Sequence, residues 1–265
     1  MLLLVRAANA VGKPFGINPF PRAFENAAAE GATGRKNAFD AIYRKNGWNS
    51  AESISGPGSE VARTAGYVAE LRNGLDTIRA ETVFDAPCGD LNWILPAMDG
   101  RRYVGGDIAS SLIVDLRARH PGRDLRHFDI CEDAFPDADV WHCRDCLFHL
   151  PFADIRKALA NFARSSIPYA MLTTHRSRWL HRNLDVPAGG WRYLDLEKPP
   201  ISLPPAQVYL KDFRTGLDFP RYVGLWTREQ IREALRQSGP SPNADGDPYG
   251  NRTRVSAVKG PRPNR

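Results

Sequence analysis

Two rhythms of apolar and polar positions run along this chain. "AFDAIYRKNGW" (38–48) sets Phe39, Ile42 and Tyr43 at helical spacing and predicts a short helix. The Ser/Gly/Pro loop "NSAESISGPGSE" follows. Residues 61–80 then predict a second helix, with Val61, Tyr67, Val68 and Leu71 on one face and Ser59 as its candidate N-cap. From residue 82 the rhythm changes. Short apolar runs at 82–86, 102–107, 124–130, 138–143 and 168–174 read as strands, several of them closing on an acid. Helical patterns separate them: a segment beginning at "WILPAM", residues 108–120, and residues 152–165 with Ile155, Leu159 and Phe162 on one stripe. Strands alternating with helices predict an α/β fold, a doubly wound, mostly parallel Rossmann-like sheet with helices on both faces.

The ends of the chain behave differently. Residues 1–35 are rich in Ala, Gly, Asn and Pro and predict a poorly ordered arm. Residues 36–259 read as a single domain, in which 36–80 form a helical cap. Residues 176–225, dense in proline and aromatics, break the alternation and predict a lid or insertion. Residues 227–237 predict a helix capped by Thr227, and 253–258 a possible last strand. Residues 239–251 and the tail 260–265 look loose.

Composition narrows the function classes. The chain of 265 residues carries a net charge of +6, but its arginines are scattered, with no basic run and no aromatic-laced basic stripe. A solvated basic surface is the favoured reading, and a nucleic-acid partner is disfavoured. The four cysteines form no evenly spaced framework, which suits free thiols in a reducing compartment. The opening "MLLLVRAANA" is interrupted by Arg6, and no stretch approaches the apolar length of a membrane span. A soluble, cytoplasmic protein is the expectation.

The chemistry concentrates at the strand ends. In "VFDAPCGDLNW" (83–93) a strand closes on Asp85, a turn holding Gly89 follows, and Asn92 and Trp93 open a predicted helix. In an open parallel sheet the ligand crevice lies at the carboxyl ends of the strands. A glycine there lets backbone approach a ligand, and helix N–H groups favour its carboxylate or phosphate. Asp107 ends the next run, "YVGGD", where a carboxylate can accept from both hydroxyls of a ribose. Asp129, in "FDI", can reach an adenine amino group. Three acids at consecutive strand ends suit a nucleoside with a small polar tail.

On these residues the chain resembles the class I S-adenosylmethionine (SAM)-dependent methyltransferases over roughly residues 38–237. The matching pieces are "DAPCGD", "GGDI", "FDI" and "CRDCLFHL". Within that family it looks like an uncharacterised branch, with "WNSAESISGPGS" in front and "DAPCGDLNW" in place of the usual glycine-rich turn. Pro87 and Leu91 stand where two of the family's glycines are found.

The resemblance implies a seven-stranded-type sheet, SAM as cofactor, and a small polar or sugar-containing acceptor methylated on O or N. It implies that Asp85 holds the methionyl amino group. It extends the cofactor contacts to Pro87, Cys88, Gly89, Asp90, Asn92, Trp93, Gly106, Asp107, Ile108, Asp129, Ile130 and Arg144. His149 and His175, just after two strands, are candidate bases, with Asp145 as a further catalytic candidate. Trp48, Ser59, Arg176, Trp191 and Arg192 are candidate acceptor contacts. Arg178, Arg182, Trp179 and Tyr193 belong to the same predicted lid.

Other readings stay open. A nicotinamide-dependent oxidoreductase shares the strand–turn–helix and the ribose acid, but "DAPCGDL" lacks the G-x-G-x-x-G turn. A non-catalytic SAM-binding module is another. Nucleic-acid methylation calls for an N-P-P-Y-like tetrapeptide where this chain has "CRDC". The cluster His142, Cys143, Cys146 and His149 resembles a zinc site. On a strand, however, His142 and Cys143 point to opposite faces and no second knuckle completes the set, so no metal is expected. Oligomeric state has no signature in the sequence.

Overall fold

Each apolar run between residues 82 and 174 forms a strand. The protein, in a computed structural model, is described over residues 31–176, 181–213 and 219–237. The strands are β1 (Thr82–Asp85), β2 (Arg102–Asp107), β3 (Asp124–His127), β4 (Val140–Cys143), β5 (Tyr169–His175), β6 (Val208–Lys211) and β7 (Arg221–Thr227). They make one seven-stranded sheet in the order β3-β2-β1-β4-β5-β7-β6. Pairing is parallel from β3 to β5, and β7 runs antiparallel to both β5 and β6.

Strand period explains the two cores. Phe84, Trp141, Cys143, Leu172 and Trp226 bury on one face of the sheet. Their alternates Val83, Val140, Met171 and Leu225 bury on the other. Helices cover both faces: α1 (Gly31–Arg44), α2 (Val61–Thr77), α3 (Ser110–Arg119), α4 (Phe152–Arg164) and α5 (Arg228–Gln237). In α4, Ile155, Ala158, Leu159 and Phe162 are buried, the stripe its periodicity predicts. The start of α5 is a reciprocal cap. Thr227 Oγ1 accepts from Gln230 N–H at 3.1 Å, and Gln230 Oε1 accepts from Thr227 N–H at 2.9 Å.

The structure differs from the sequence pattern at several points. No α-helix follows β1; the connection to β2 holds only a 3-10 turn at Leu95–Met98. Gly89 and Leu91 both take positive φ, 56° and 62°, and Pro96 lies inside the turn. Too little chain is left before β2 to build a full helix. The expected anion site at a helix N-terminus after β1 is therefore missing among the described residues. The stretch 176–225 is not a lid throughout, because β6 and the first residues of β7 lie inside it. Prolines and aromatics around Val208–Lys211 mask its short alternation. The possible strand at 253–258 lies outside the described residues, as do Arg178 and Trp179. Helix α1 begins at Gly31, and Arg35, read as part of the arm, is buried. Ser59 does not cap α2; Glu52 Oε1 instead accepts from Val61 N–H at 2.7 Å. No helix among the described residues is long and apolar enough to cross a membrane.

Candidate active site

The carboxyl ends of β1, β2 and β4 bring the predicted acids to one rim. Asp107 is buried at the end of β2. Its Oδ2 accepts from Gly89 N–H at 3.2 Å and its Oδ1 from Ala109 N–H at 2.9 Å. No cation offsets it among its bonded partners, and burial pushes its pKa up to about 6. The carboxylate keeps lone pairs free for further donors. Gly106 O and Cys88 N–H join the two loops at 2.8 Å. Gly89 has to be glycine here: with φ of 56°, a Cβ would also lie 2.4 Å from Ser55 Oγ.

Other acids already have partners. Asp85 Oδ1 lies 2.6 Å from His142 Nδ1, and Asp85 Oδ2 accepts from Tyr103 Oη at 2.7 Å. His142 Nε2 lies 2.9 Å from Tyr67 Oη. A buried chain Tyr103–Asp85–His142–Tyr67 thus runs beneath the rim. Asp129 is taken by α1. Arg35 Nη2 donates to its Oδ2 at 2.9 Å, Cys131 N–H donates to its Oδ1 at 2.9 Å, and the same arginine reaches Asp154 at 2.7 Å.

Asp90 accepts from Ser53 Oγ, Ser55 Oγ and Ile54 N–H. Asn92 Nδ2 donates to Glu52 Oε1 and to Ser59 O. These two residues tie the "SGPGS" loop to the β1–β2 loop. Cys88 and Ile130 are buried in the two cores, while Pro87 and Ile108 are half-buried.

Toward β4, β5 and β7 the site is built from charge pairs. Arg144 is buried among the rings of Tyr67, Trp93 and Phe213, 5.2, 4.9 and 5.9 Å from their centroids. Its Nε and Nη2 donate to the two oxygens of Asp212 at 2.9 and 3.0 Å, and Nη2 also to Gly58 O. Burial works against this charge, but Asp145 and Asp212 outweigh it and raise its pKa. Asp212 is correspondingly held down by Arg144 and Arg221 against its own burial. Gly58 has no room for a side chain, since a Cβ would sit 2.7 Å from Asp145 Oδ2.

The two candidate bases are buried. His149 Nδ1 lies 2.6 Å from Gly190 O, a contact only the Nδ1–H tautomer can make, and the Trp48 ring packs against its ring at a tilt of 40°, centroids 4.3 Å apart. Burial, with Arg192 and Arg221 nearby, drops its pKa to about 3, so the ring is neutral near pH 7. His175 Nδ1 accepts from Leu194 N–H, and burial with Arg221 lowers its pKa to about 3. Trp191 packs near Phe148, His175 and Tyr193. Arg192 is buried over Phe152, with Nε and Nη1 making no hydrogen bond, and burial lowers its pKa to about 10. Arg176 is exposed and its guanidinium lies over Tyr209 of β6.

No protein-family model matches the chain, and no curated protein matches it. Solved structures do match in shape. Magnesium protoporphyrin IX methyltransferase from Synechocystis, solved with bound SAM, aligns with a TM-score of 0.52 at 12% identity, over 77% of this chain and 99% of its own. The 1,6-didemethyltoxoflavin-N1-methyltransferase of Burkholderia thailandensis aligns at 0.50 and 15% identity, over 78% of this chain and 94% of its own. Sheet order and the reversed β7 complete the match. The chain has the class I methyltransferase fold.

Within this methyltransferase fold, four polar residues at the rim escaped the sequence reading: Tyr103, His142, Asp212 and Arg221. His142 drew notice only as a metal ligand, whereas the β1–β4 register sets it opposite Asp85. Asp212 and Arg221 lay in the stretch read as a lid. Among the described residues no cluster of His, Cys, Asp or Glu is arranged to hold a metal.

Proposed function

We propose that this protein is a SAM-dependent methyltransferase acting on an O or N atom of a small polar acceptor, in the branch its motifs resemble. The observation that carries this reading is Asp107. It is a buried carboxylate at the end of β2, held only by neutral backbone donors and with lone pairs left for a ribose diol. Asp129 fits an adenine less well, because one of its oxygens is already ion-paired with the buried Arg35 guanidinium, whereas Asp107 meets only backbone N–H groups. Asp85, bonded to His142 and Tyr103, serves better to fix the β1 loop than to receive an ammonium directly.

When bound, SAM would be held at Asp107 and would supply an electrophilic methyl group with a neutral thioether as leaving group, the acceptor giving up a proton in exchange. The protein's part is to position the acceptor and to manage that proton. His149, with Nδ1–H given to Gly190 O, presents Nε2 as a lone pair. A ring whose pKa is about 3 orients an acceptor hydroxyl better than it stores the proton. The four free, buried cysteines fit a reducing, cytoplasmic setting.

Calorimetry with SAM and with its demethylated product, S-adenosylhomocysteine (SAH), tests the reading. Micromolar binding is the expected result, weakened about a hundredfold by Asp107→Ala, on the scale of hydrogen bonds to a buried charged group. Unchanged affinity in that variant would remove the ribose assignment. Labelled methyl transfer into a small-molecule extract would then reveal the acceptor.

A further inference from the structure

The pairing of Asp145 with Arg221 is incomplete in a specific way. Asp145 Oδ2 lies 3.1 Å from Arg221 Nη1 and 3.5 Å from Arg144 Nη1. Its other oxygen, Oδ1, is buried and makes no hydrogen bond among the described residues. Arg221 Nη2 is likewise buried without a partner among the described residues. Arg221 Nε comes within 3.1 Å of Asp212 Oδ2 but off the N–H direction, so it forms an ion-pair contact and no hydrogen bond. Buried polar atoms in folded proteins are paired in the great majority of cases, and an unpaired one calls for a physical account such as a catalytic role or a bound group. Asp145 is also held at φ of 55°, in the left-handed region, by its own N–H bond to Thr173 Oγ1.

The location is the rim itself. Asp145 follows β4, and Arg221 opens β7 opposite His175 of β5. The ring of Phe213 lies over the face of the Arg221 guanidinium at 3.8 Å, so only its edge can meet an oxygen. An orphan acceptor and an orphan donor therefore belong to one contacting pair of side chains, joined through Oδ2 and Nη1. The cluster is charge-balanced, with Arg144 and Arg221 against Asp145 and Asp212. A neutral ligand leaves that balance intact, whereas a carboxylate would crowd Asp212.

We propose that Asp145 and Arg221 form the acceptor subsite, and that they take a vicinal diol of a sugar or polyol. One hydroxyl donates to Asp145 Oδ1, and the oxygen of its neighbour accepts from Arg221 Nη2. This rests on the methyltransferase reading. It adds Arg221 as a specificity-determining residue and names the acceptor class.

The test is an NMR titration of SAH-saturated protein with three probes: cis-cyclohexane-1,2-diol, cyclohexanol and lactate. The diol should bind at least tenfold tighter than either of the others. The preference should fall below twofold in Arg221→Gln. It should fall equally in the double variant Asp145→Asn with Arg221→Gln, which removes one charge of each sign and keeps the cluster balanced. Equal affinities, lactate as the tightest probe, or a diol preference kept in the double variant would overturn the proposal. If SAH itself fails to bind, the methyltransferase reading fails, and the same titration on SAH-free protein decides the subsite by itself.

Discussion

At the carboxyl ends of β1 and β2, Asp107 is held by backbone N–H groups, and Asp85 by Tyr103 and His142. Across the rim, at the ends of β4 and β7, carboxylates are held by guanidiniums, Arg144 and Arg221. Both halves are buried, yet burial acts differently on each. Without a cation, Asp107 stays basic and keeps capacity for a ligand's hydroxyls. With two arginines, Asp212 is locked into its charged form and becomes structure. Asp107, held by backbone N–H groups, is available to a ligand; Asp212, gripped by two guanidiniums, is a structural tie; Asp145 stands between them, ion-paired through Oδ2 with Oδ1 left over.

Arg144→Ala probes the locked half most severely. It leaves Asp212 buried with one cation fewer and should cost about 3–5 kcal/mol in urea denaturation. A loss under about 1 kcal/mol would mean the quartet is not the lock its geometry suggests.

Acid probes the same half through its histidines. Their folded pKa of about 3 lies below the unfolded value, so the unfolded chain binds more protons as pH falls below about 6.5. Stability is then lost on acidification toward pH 3. Asp107 acts in the opposite sense, because its raised pKa adds stability as pH falls from about 6 toward 4. Two histidines outweigh one aspartate, so net stability should fall between pH 7 and pH 5. His149→Phe should remove about 2 kcal/mol of that fall in a pH series of denaturation curves. An unchanged slope would contradict a neutral buried His149.

The open half is sharpened by the pH dependence of binding. If ionised Asp107 accepts the ribose hydroxyls, SAH affinity should drop about tenfold from pH 7 to pH 5. Asp107→Asn should bind more weakly and lose that dependence in calorimetry. The smallest effect is expected where the halves are tied together. Asp90→Ala frees the 53–55 loop and should cost about 1 kcal/mol, seen first as faster hydrogen exchange of backbone amides at 50–60.

The alternation from residue 82 to 174 made five strands legible, because a buried parallel strand needs an unbroken apolar run. Residues 208–211 and 221–227 were not legible. β6 is short and half-exposed, and both segments sit among prolines and aromatics that read as a loop. At the site, Asp107 was legible as an acid closing a strand. The engagement of Asp129 was not, because Arg35 lies 94 positions earlier in the chain, in a stretch whose composition suggested an arm. Asp90 and Asn92 looked like ligand contacts by position in the motif, but their side chains turn toward the loop that precedes α2.

The sequence by itself determined the α/β class, the order of the first five strands along the chain, and the placement of acids at strand ends. These depend on local period and on residues adjacent in the chain. Tertiary structure decided which acids keep free lone pairs, which histidine faces Asp85, and that Arg221 reaches Asp145. Those outcomes depend on strand neighbours and loop crossings between segments far apart in sequence, and a charge's environment is set by what packs against it.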